Sequence, residues 1–220
     1  MLPRDCVLCG SPAGNSPLCA PCRRALPWLS AERCPICAAP SAGKAVCGTC
    51  LAEQPVFQHS CAALLYEFPV DALIQAFKYR GDLPLGDTLG TLLQDALAVE
   101  PRPDAIIPMP LHPARLRERG FNQALELARR VGQALQLPVL VRACVRVRDT
   151  PPQASLPWKE RSSNIRGAFA CEADLAGKRV AIVDDVMTTG HTLNELAAAL
   201  KRAGAAEVYC WVVARAVKRS

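Results

Sequence analysis

Two groups of residues carry the means for chemistry. The sharper is Val180-Ala-Ile-Val-Asp-Asp-Val-Met-Thr-Thr-Gly-His-Thr192: apolar residues, two adjacent acids, then a turn of hydroxyls and glycine before a helical pattern. A parallel strand would deliver Asp184 and Asp185 to the carboxyl edge of a sheet, where open α/β folds take their ligands. The turn after it would aim backbone N–H groups and a helix N-terminus at an anion. Thr188, Thr189 and Thr192 add hydroxyl donors, and Gly190 lets the backbone close in. The field of a helix terminus is worth only about 0.3–1 kcal/mol when exposed, so directed hydrogen bonds must supply most of the grip, and the cup suits one phosphate. Asp184 and Asp185 would repel that phosphate from inside the cup. Their carboxylates therefore belong to one side, where sugar hydroxyls or a metal ion can use them, and a sugar phosphate satisfies both halves. The glycine-lysine loop of nucleoside triphosphate sites and the three-glycine loop of dinucleotide sites are both absent from the sequence.

The second group is Cys6/Cys9, Cys19/Cys22, Cys34/Cys37 and Cys47/Cys50, four pairs with two residues between partners. That spacing lets both thiolates of a tight turn face one tetrahedral metal, so four pairs make two four-cysteine zinc sites. Nine residues separate the first two pairs (10–18) and again the last two (38–46), which reads as one knuckle unit duplicated. Sequential sites, 6/9/19/22 and 34/37/47/50, are the favoured arrangement, and the spacing leaves a crossed one (6/9/34/37 with 19/22/47/50) open. Large apolar side chains are too few in this segment to fold it unaided, whereas a structural zinc contributes about 10–16 kcal/mol. With four thiolates per metal no position is left for water or substrate, so the zinc is structural and the segment serves contact. Cys61, Cys144, Cys171 and Cys210 fall outside the pattern, where a single cysteine is usually a small core residue.

The elements that must position these groups follow from periodicity. Residues 1–55 show no sustained helical or strand period, and after Phe57 amphipathic helices alternate with apolar strands, placing a domain boundary near 54–58: a zinc domain over 1–55 and an α/β domain over 56–220. Strands are predicted at Cys61–Tyr66, Ala105–Pro108, Val139–Val141, Val180–Val183 and Val208–Ala214, and helices at Val70–Tyr79, Leu85–Ala98, Asn122–Gln136 and Thr192–Arg202. This alternation is that of an α/β fold with a largely parallel sheet. Residues Arg146–Asn164, polar and rich in Pro and Arg, read as one long loop of the kind that closes over active sites.

Of the 220 residues half are apolar, enough for a medium domain and a small one. No charged-then-apolar leader opens the chain and no apolar run approaches the roughly 18 residues of a membrane span, so a cytoplasmic protein without membrane insertion is expected. The net charge of +6 is unevenly spread: residues 1–55 carry +2, 56–100 carry −4, 101–171 carry +7 and 172–220 carry +1. The middle of the chain is where an anionic partner is expected, with Arg115, Arg117, Arg119, Arg129, Arg130, Arg142, Arg146 and Arg148 suited to phosphates. Aromatic residues make up only 5% of the chain, which leaves few stacking platforms for single strands.

The 180–192 segment resembles the signature of type I phosphoribosyltransferases that bind 5-phosphoribosyl-1-pyrophosphate (PRPP), without departure at the two acids or at Thr-Thr-Gly-x-Thr. The resemblance implies that fold, a Rossmann-like parallel core, with Asp184 and Asp185 on the ribose hydroxyls and Val186, Met187, Thr188, Thr189, Gly190, His191 and Thr192 around the 5′-phosphate. By position, Pro108, Met109, Pro110 and Leu111 correspond to the family's pyrophosphate loop, and Arg148, Gln153, Arg161 and Asn164 to its flexible catalytic loop. Mg²⁺ would accompany PRPP. The whole arrangement, with the cysteine pairs, Pro108 to Gln123 and the Arg161…Asn164…Gly167-Ala-Phe169 run, is similar to the ComF family. That similarity implies a role in natural competence and DNA uptake, as a working transferase with an unspecified acceptor. The alternatives are a protein that binds single-stranded DNA, or an adaptor docking an uptake helicase or other competence protein, with the PRPP site regulatory or vestigial.

Overall fold

A computed structural model of the chain describes residues 4–149 and 165–217. Its centre is a four-stranded, all-parallel sheet of β3 (His59–Leu65), β4 (Ala105–Pro108), β7 (Arg179–Met187) and β8 (Glu207–Arg215) in the order β3-β8-β7-β4. Strands buried on both faces need apolar residues throughout, and residues 180–183 and 208–214 are buried without interruption. The helices α3 (Val70–Arg80), α4 (Leu83–Ala96) and α6 (Gln123–Leu135) cover one face, and α7 (His191–Arg202) the other.

Each helix buries a stripe set by its sequence. In α6 the stripe is Ala124, Leu127, Ala128 and Val131, and in α7 it is Leu193, Leu196, Ala197 and Leu200, both at the i, i+3, i+4, i+7 spacing. Asn122 caps α6, its side chain accepting from the N–H groups of Ala124 (3.0 Å) and Leu125 (3.4 Å). Asp82 caps α4 by accepting from Leu85 N–H at 3.2 Å, so this helix begins at Leu83, two residues before the apolar pattern alone suggests.

The segment before residue 55 contributes β1 (Arg4–Asp5), β2 (Pro12–Gly14) and two short helices, α1 (Ala20–Arg24) and α2 (Gly48–Glu53). It is sewn to the sheet. The stretch between its two cysteine sets runs antiparallel along β3: Leu65 N–H donates to Pro27 O at 2.8 Å, Leu29 N–H to Ala63 O at 3.0 Å, and Trp28 bridges Leu64. The outer edge of β3 is thereby covered, which removes a row of unpaired backbone groups. Cys6, Leu18, Cys19 and Leu26 join the core beneath α3 and α4, whereas Cys34, Cys37 and Cys50 join the core beneath α7, so the two cysteine sets straddle that edge and pack on opposite faces.

Three features differ from the sequence reading. The strand expected at Val139–Val141 is a single parallel bridge, Val139 to Ile106, because the chain leaves the sheet in a turn after Leu140 donates to Ile106 O. A short helix, α5 (Pro113–Arg119), occupies a stretch with no apolar stripe, and indeed none of its residues is buried. The loop expected from Arg146 begins later: Arg146 closes β5 (Cys144–Arg146), which pairs antiparallel with β6 (Phe169–Cys171), and Val147 N–H still donates to Ala168 O at 2.9 Å. Residues 150–164 of that expected loop, with Gln153, Arg161 and Asn164, lie outside the described residues.

Candidate functional site: an acid pair, a threonine turn and two cysteine sets

β7 carries Asp184 and Asp185 in its carboxyl half, beyond the point where β4 stops pairing, ends at Met187, and passes through Thr188, Thr189 and Gly190 into α7. Gly190 caps that helix at φ +84°, a left-handed conformation costly for any residue with a Cβ. The Thr189 hydroxyl accepts from His191 N–H at 3.3 Å, closing the turn. β4 delivers the second loop to the same edge: Pro108 pairs in register with Val183, and Met109 N–H donates to Val183 O at 2.9 Å. Residues 109–111 therefore emerge beside Asp184, and Asn122 holds them there by donating from Nδ2 to Met109 O at 3.1 Å.

The two acids differ in setting. Asp185 is buried and forms an ion pair with Lys78 Nζ at 2.9 Å. Asp184 is half-buried and accepts from Asp185 N–H at 2.9 Å. Burial, then the charge of Asp185, pushes the Asp184 carboxyl up to about 7, against the pull of Lys78, the Asp185 N–H and Arg146. Lys78 lies on α3, far from the signature in sequence, and nothing in its own neighbourhood marks it. Arg146 on β5 sits over the Phe169 ring, 5.7 Å from its centroid, and lends positive potential toward Asp184.

Arg148 donates to Arg166 O at 2.6 Å. His112 caps α5, its Nδ1 accepting from Ala114 N–H at 3.3 Å with Asp149 at 3.6 Å, a structural use of the imidazole. His191 opens α7 with its Nε2 3.7 Å from Glu53 of α2. Several basic residues of the middle segment are engaged locally: Arg119 with Gln123 and the Tyr79 ring, Arg129 with Glu126, and Arg130 with Thr91.

The cysteines form the two sequential sets, Cys6, Cys9, Cys19, Cys22 and Cys34, Cys37, Cys47, Cys50, with the sulfurs of each set within 4.8 Å of one another. The Cys9 and Cys19 sulfurs lie 3.6 Å apart, as do those of Cys37 and Cys47. A tetrahedron of about 2.3 Å zinc–sulfur bonds has sulfur–sulfur edges of about 3.8 Å, so the donor sets fit zinc, and the crossed arrangement is excluded. Burial disfavours the Cys6 and Cys34 thiolates, but N–H groups of their own knuckles and of Cys19 and Cys47 outweigh it, holding Cys6 at about 6 and Cys34 at about 7. The chain thus binds two structural zinc ions, closed to exchangeable ligands.

The second cysteine set borders the threonine turn. A cavity of about 500 Å³ lies between them, lined by Cys37, Cys50, Phe57, Thr189, Gly190 and Arg215 among others. The connector after α2 is tied to α7, Val56 N–H donating to Asn194 Oδ1 at 2.6 Å, and the Phe57 ring rests over Gly190. Neither this junction nor the buried Arg215 was signalled by any motif.

Residues 117–219 match the phosphoribosyl transferase domain family, and residues 1–51 the double zinc ribbon domain. With the parallel sheet and the sequential cysteine sets, this defines a protein of the type I phosphoribosyltransferase fold carrying an N-terminal double zinc ribbon. Competence protein F of Haemophilus influenzae is 36% identical over 176 residues, 76% of this chain and 77% of that protein. DNA utilization protein YhgH of Escherichia coli K12 is 32% identical, covering 97% and 98% of the two chains. The chain belongs to the ComF family. Among solved structures, a purine phosphoribosyltransferase from Pyrococcus horikoshii Ot3 aligns with 60% of this chain and 82% of its own at a TM-score of 0.37 and 24% identity.

Proposed function

We propose that the protein binds Mg²⁺-PRPP and serves DNA uptake, as the names of its competence relatives suggest. The supporting observation is the convergence, at one sheet edge, of the left-handed Gly190 turn, the Asp184–Asp185 pair and the Pro108–Leu111 segment. In this reading the 5′-phosphate takes the N–H groups and hydroxyls of Thr188 to Thr192, with Val186 and Met187 fixing where the turn starts. The ribose hydroxyls take Asp184 and Asp185, and the pyrophosphate with its Mg²⁺ lies along Pro108–Leu111 toward Arg148. Group transfer would break the bond between the anomeric carbon and pyrophosphate. The positive charge developing on the ribose ring would be met by the nearby carboxylates, and an incoming nitrogen would form the new bond and release its proton. We also take residues 1–55 and 56–220 as two domains, which the packing of one cysteine set on each face of the sheet makes a single working unit.

Calorimetric titration with PRPP and Mg²⁺, beside an Asp184→Asn/Asp185→Asn double variant, tests this reading. Saturable binding by the wild type and its loss in the variant are expected, and a wild type that takes up no PRPP refutes it.

A second reading, supported by the +7 charge of residues 101–171, is a single-stranded DNA contact with PRPP as a regulator. Titration of a labelled oligonucleotide over a salt series should then show an affinity that falls linearly on logarithmic axes. Salt-independent or absent binding removes it. No helix among the described residues is long and apolar enough to cross a membrane.

A further inference from the structure

Arg215 ends β8 and is 8% exposed. Its Nε donates to Cys37 O at 2.8 Å, and its Nη1 donates to Met187 O at 3.1 Å and also to Thr188 O and Ala216 O. Every one of these partners is a neutral carbonyl. A guanidinium withdrawn from water needs an opposing charge, and among the described residues no carboxylate forms an ion pair with Arg215. The adjacent anionic group is the second cysteine set, whose Cys37 Sγ stands 3.9 Å from Nη2. A tetrathiolate zinc centre carries a formal charge of about −2, so the zinc-loaded ribbon supplies the charge that Arg215 lacks.

The other end of the same guanidinium grips the threonine turn. In a trans peptide the C=O and the following N–H point in opposite directions. Drawing Met187 O and Thr188 O toward Arg215 therefore turns the N–H groups of Thr188 and Thr189 the other way, which is how successive amides form an anion-binding nest. The Val56–Asn194 hydrogen bond and the Phe57 ring over Gly190 join the ribbon to the start of α7 beside it.

We propose that Arg215 is a positioning residue through which the zinc-loaded second ribbon sets the amide orientation of the phosphate turn, so that zinc occupancy of that ribbon and affinity for a sugar phosphate are coupled. The inference rests on the turn being the phosphate site. It predicts that the two zinc ions are unequal: the one held by Cys34, Cys37, Cys47 and Cys50 supports the turn, and the one held by Cys6, Cys9, Cys19 and Cys22 does not.

The test compares the full-length wild type with Arg215→Lys and Arg215→Met, using ribose 5-phosphate as the probe. Arg215→Met should weaken ribose 5-phosphate binding by about tenfold, the loss of more than one charge-assisted contact. One of its two zinc ions should leave about tenfold faster under a chelator challenge, with the other unchanged. Amide hydrogen exchange over residues 186–192 should quicken in parallel. Arg215→Lys, which keeps the charge but cannot span both carbonyls, should fall between, and it carries the test if the methionine variant does not fold. Binding within about twofold of wild type, together with wild-type release of both zinc ions, overturns the proposal. Should the wild type itself fail to bind ribose 5-phosphate, the phosphate reading falls. Arg215 is then judged by zinc release and exchange alone: wild-type values in the variants refute the coupling.

Discussion

Replacing Asp184 by asparagine should make the protein more stable at neutral and alkaline pH, with a gain that grows from pH 6 to pH 8 and vanishes only toward the unfolded value near 3.8. The amide of Asp184→Asn would keep the oxygen that accepts the Asp185 N–H and would remove only the charge. In the folded protein the Asp184 carboxyl titrates near 7, raised by burial and by Asp185, whereas an unfolded aspartate titrates near 3.8. Between those values the folded state holds a proton that the unfolded state has lost, so stability falls as pH rises and the full penalty is reached above pH 7. From pH 6 to pH 8 the folded carboxyl gives up its proton while the unfolded one is ionised throughout. About one pKa unit of that window lies below the folded value, and the wild type should lose about 1.4 kcal/mol that the variant does not. For a chain of this length that is about 3–6 °C in Tm. Thermal unfolding of both proteins without ligand, at half-unit steps from pH 6 to 8.5, reads the difference directly. Cysteine and histidine titrations are common to both and cancel. Parallel Tm curves would show that Lys78 and Arg146 already neutralise the pair and that the electrostatic account of the site is wrong.

Three further outcomes are expected. Gly86→Ala places a Cβ 2.5 Å from Phe77 Cε2 inside the core under α3 and α4, and should cost about 1–3 kcal/mol by denaturant titration. Asn122→Ala removes both capping bonds of α6 and the tether to Met109 O, so a loss of about 1–2 kcal/mol should come with weaker pyrophosphate affinity, measured by competition. Native mass spectrometry should find two zinc ions per chain and one after Cys34→Ser; a variant that keeps both would contradict the assignment of the second set.

Much of this molecule was legible in the sequence because its strongest signals are local. A doubly buried strand reads Val-Ala-Ile-Val, a helix is read from Asn122, and a zinc knuckle spaces its thiolates by two, whereas the Asp82 cap of α4 goes unread. Accordingly β4, β7, β8 and the helices α3, α4, α6 and α7 lie within a few residues of expectation, and the sequential cysteine sets are as favoured. What escaped was set by tertiary contact. Helix α5 has no buried face, so periodicity could not register it. Strands β5 and β6 are three residues each and take their pairing from one another across a long separation. Lys78 shows only as one cation on an amphipathic helix until the fold brings it to Asp185. Arg215 ends an apolar strand, and nothing in Val-Val-Ala-Arg reveals that four carbonyls await it.

The sheet order has a consequence for synthesis. β8 is the last strand in chain order among the described residues yet lies inside the sheet, between β3 and β7, so within the parallel sheet the first strand of the α/β part pairs with the last. While the chain emerges from a ribosome, β3 has its antiparallel cover from residues 27–29 on one side and an unfilled slot on the other. The zinc knuckles can close early and hold that half-built edge, but the sheet cannot complete until residue 215 is available. Such non-local pairing is slow and leaves strand edges open meanwhile. Premature termination between β3 and β8 would therefore release a metal-loaded fragment with an adhesive edge, and its clearance would fall to the cell's proteases.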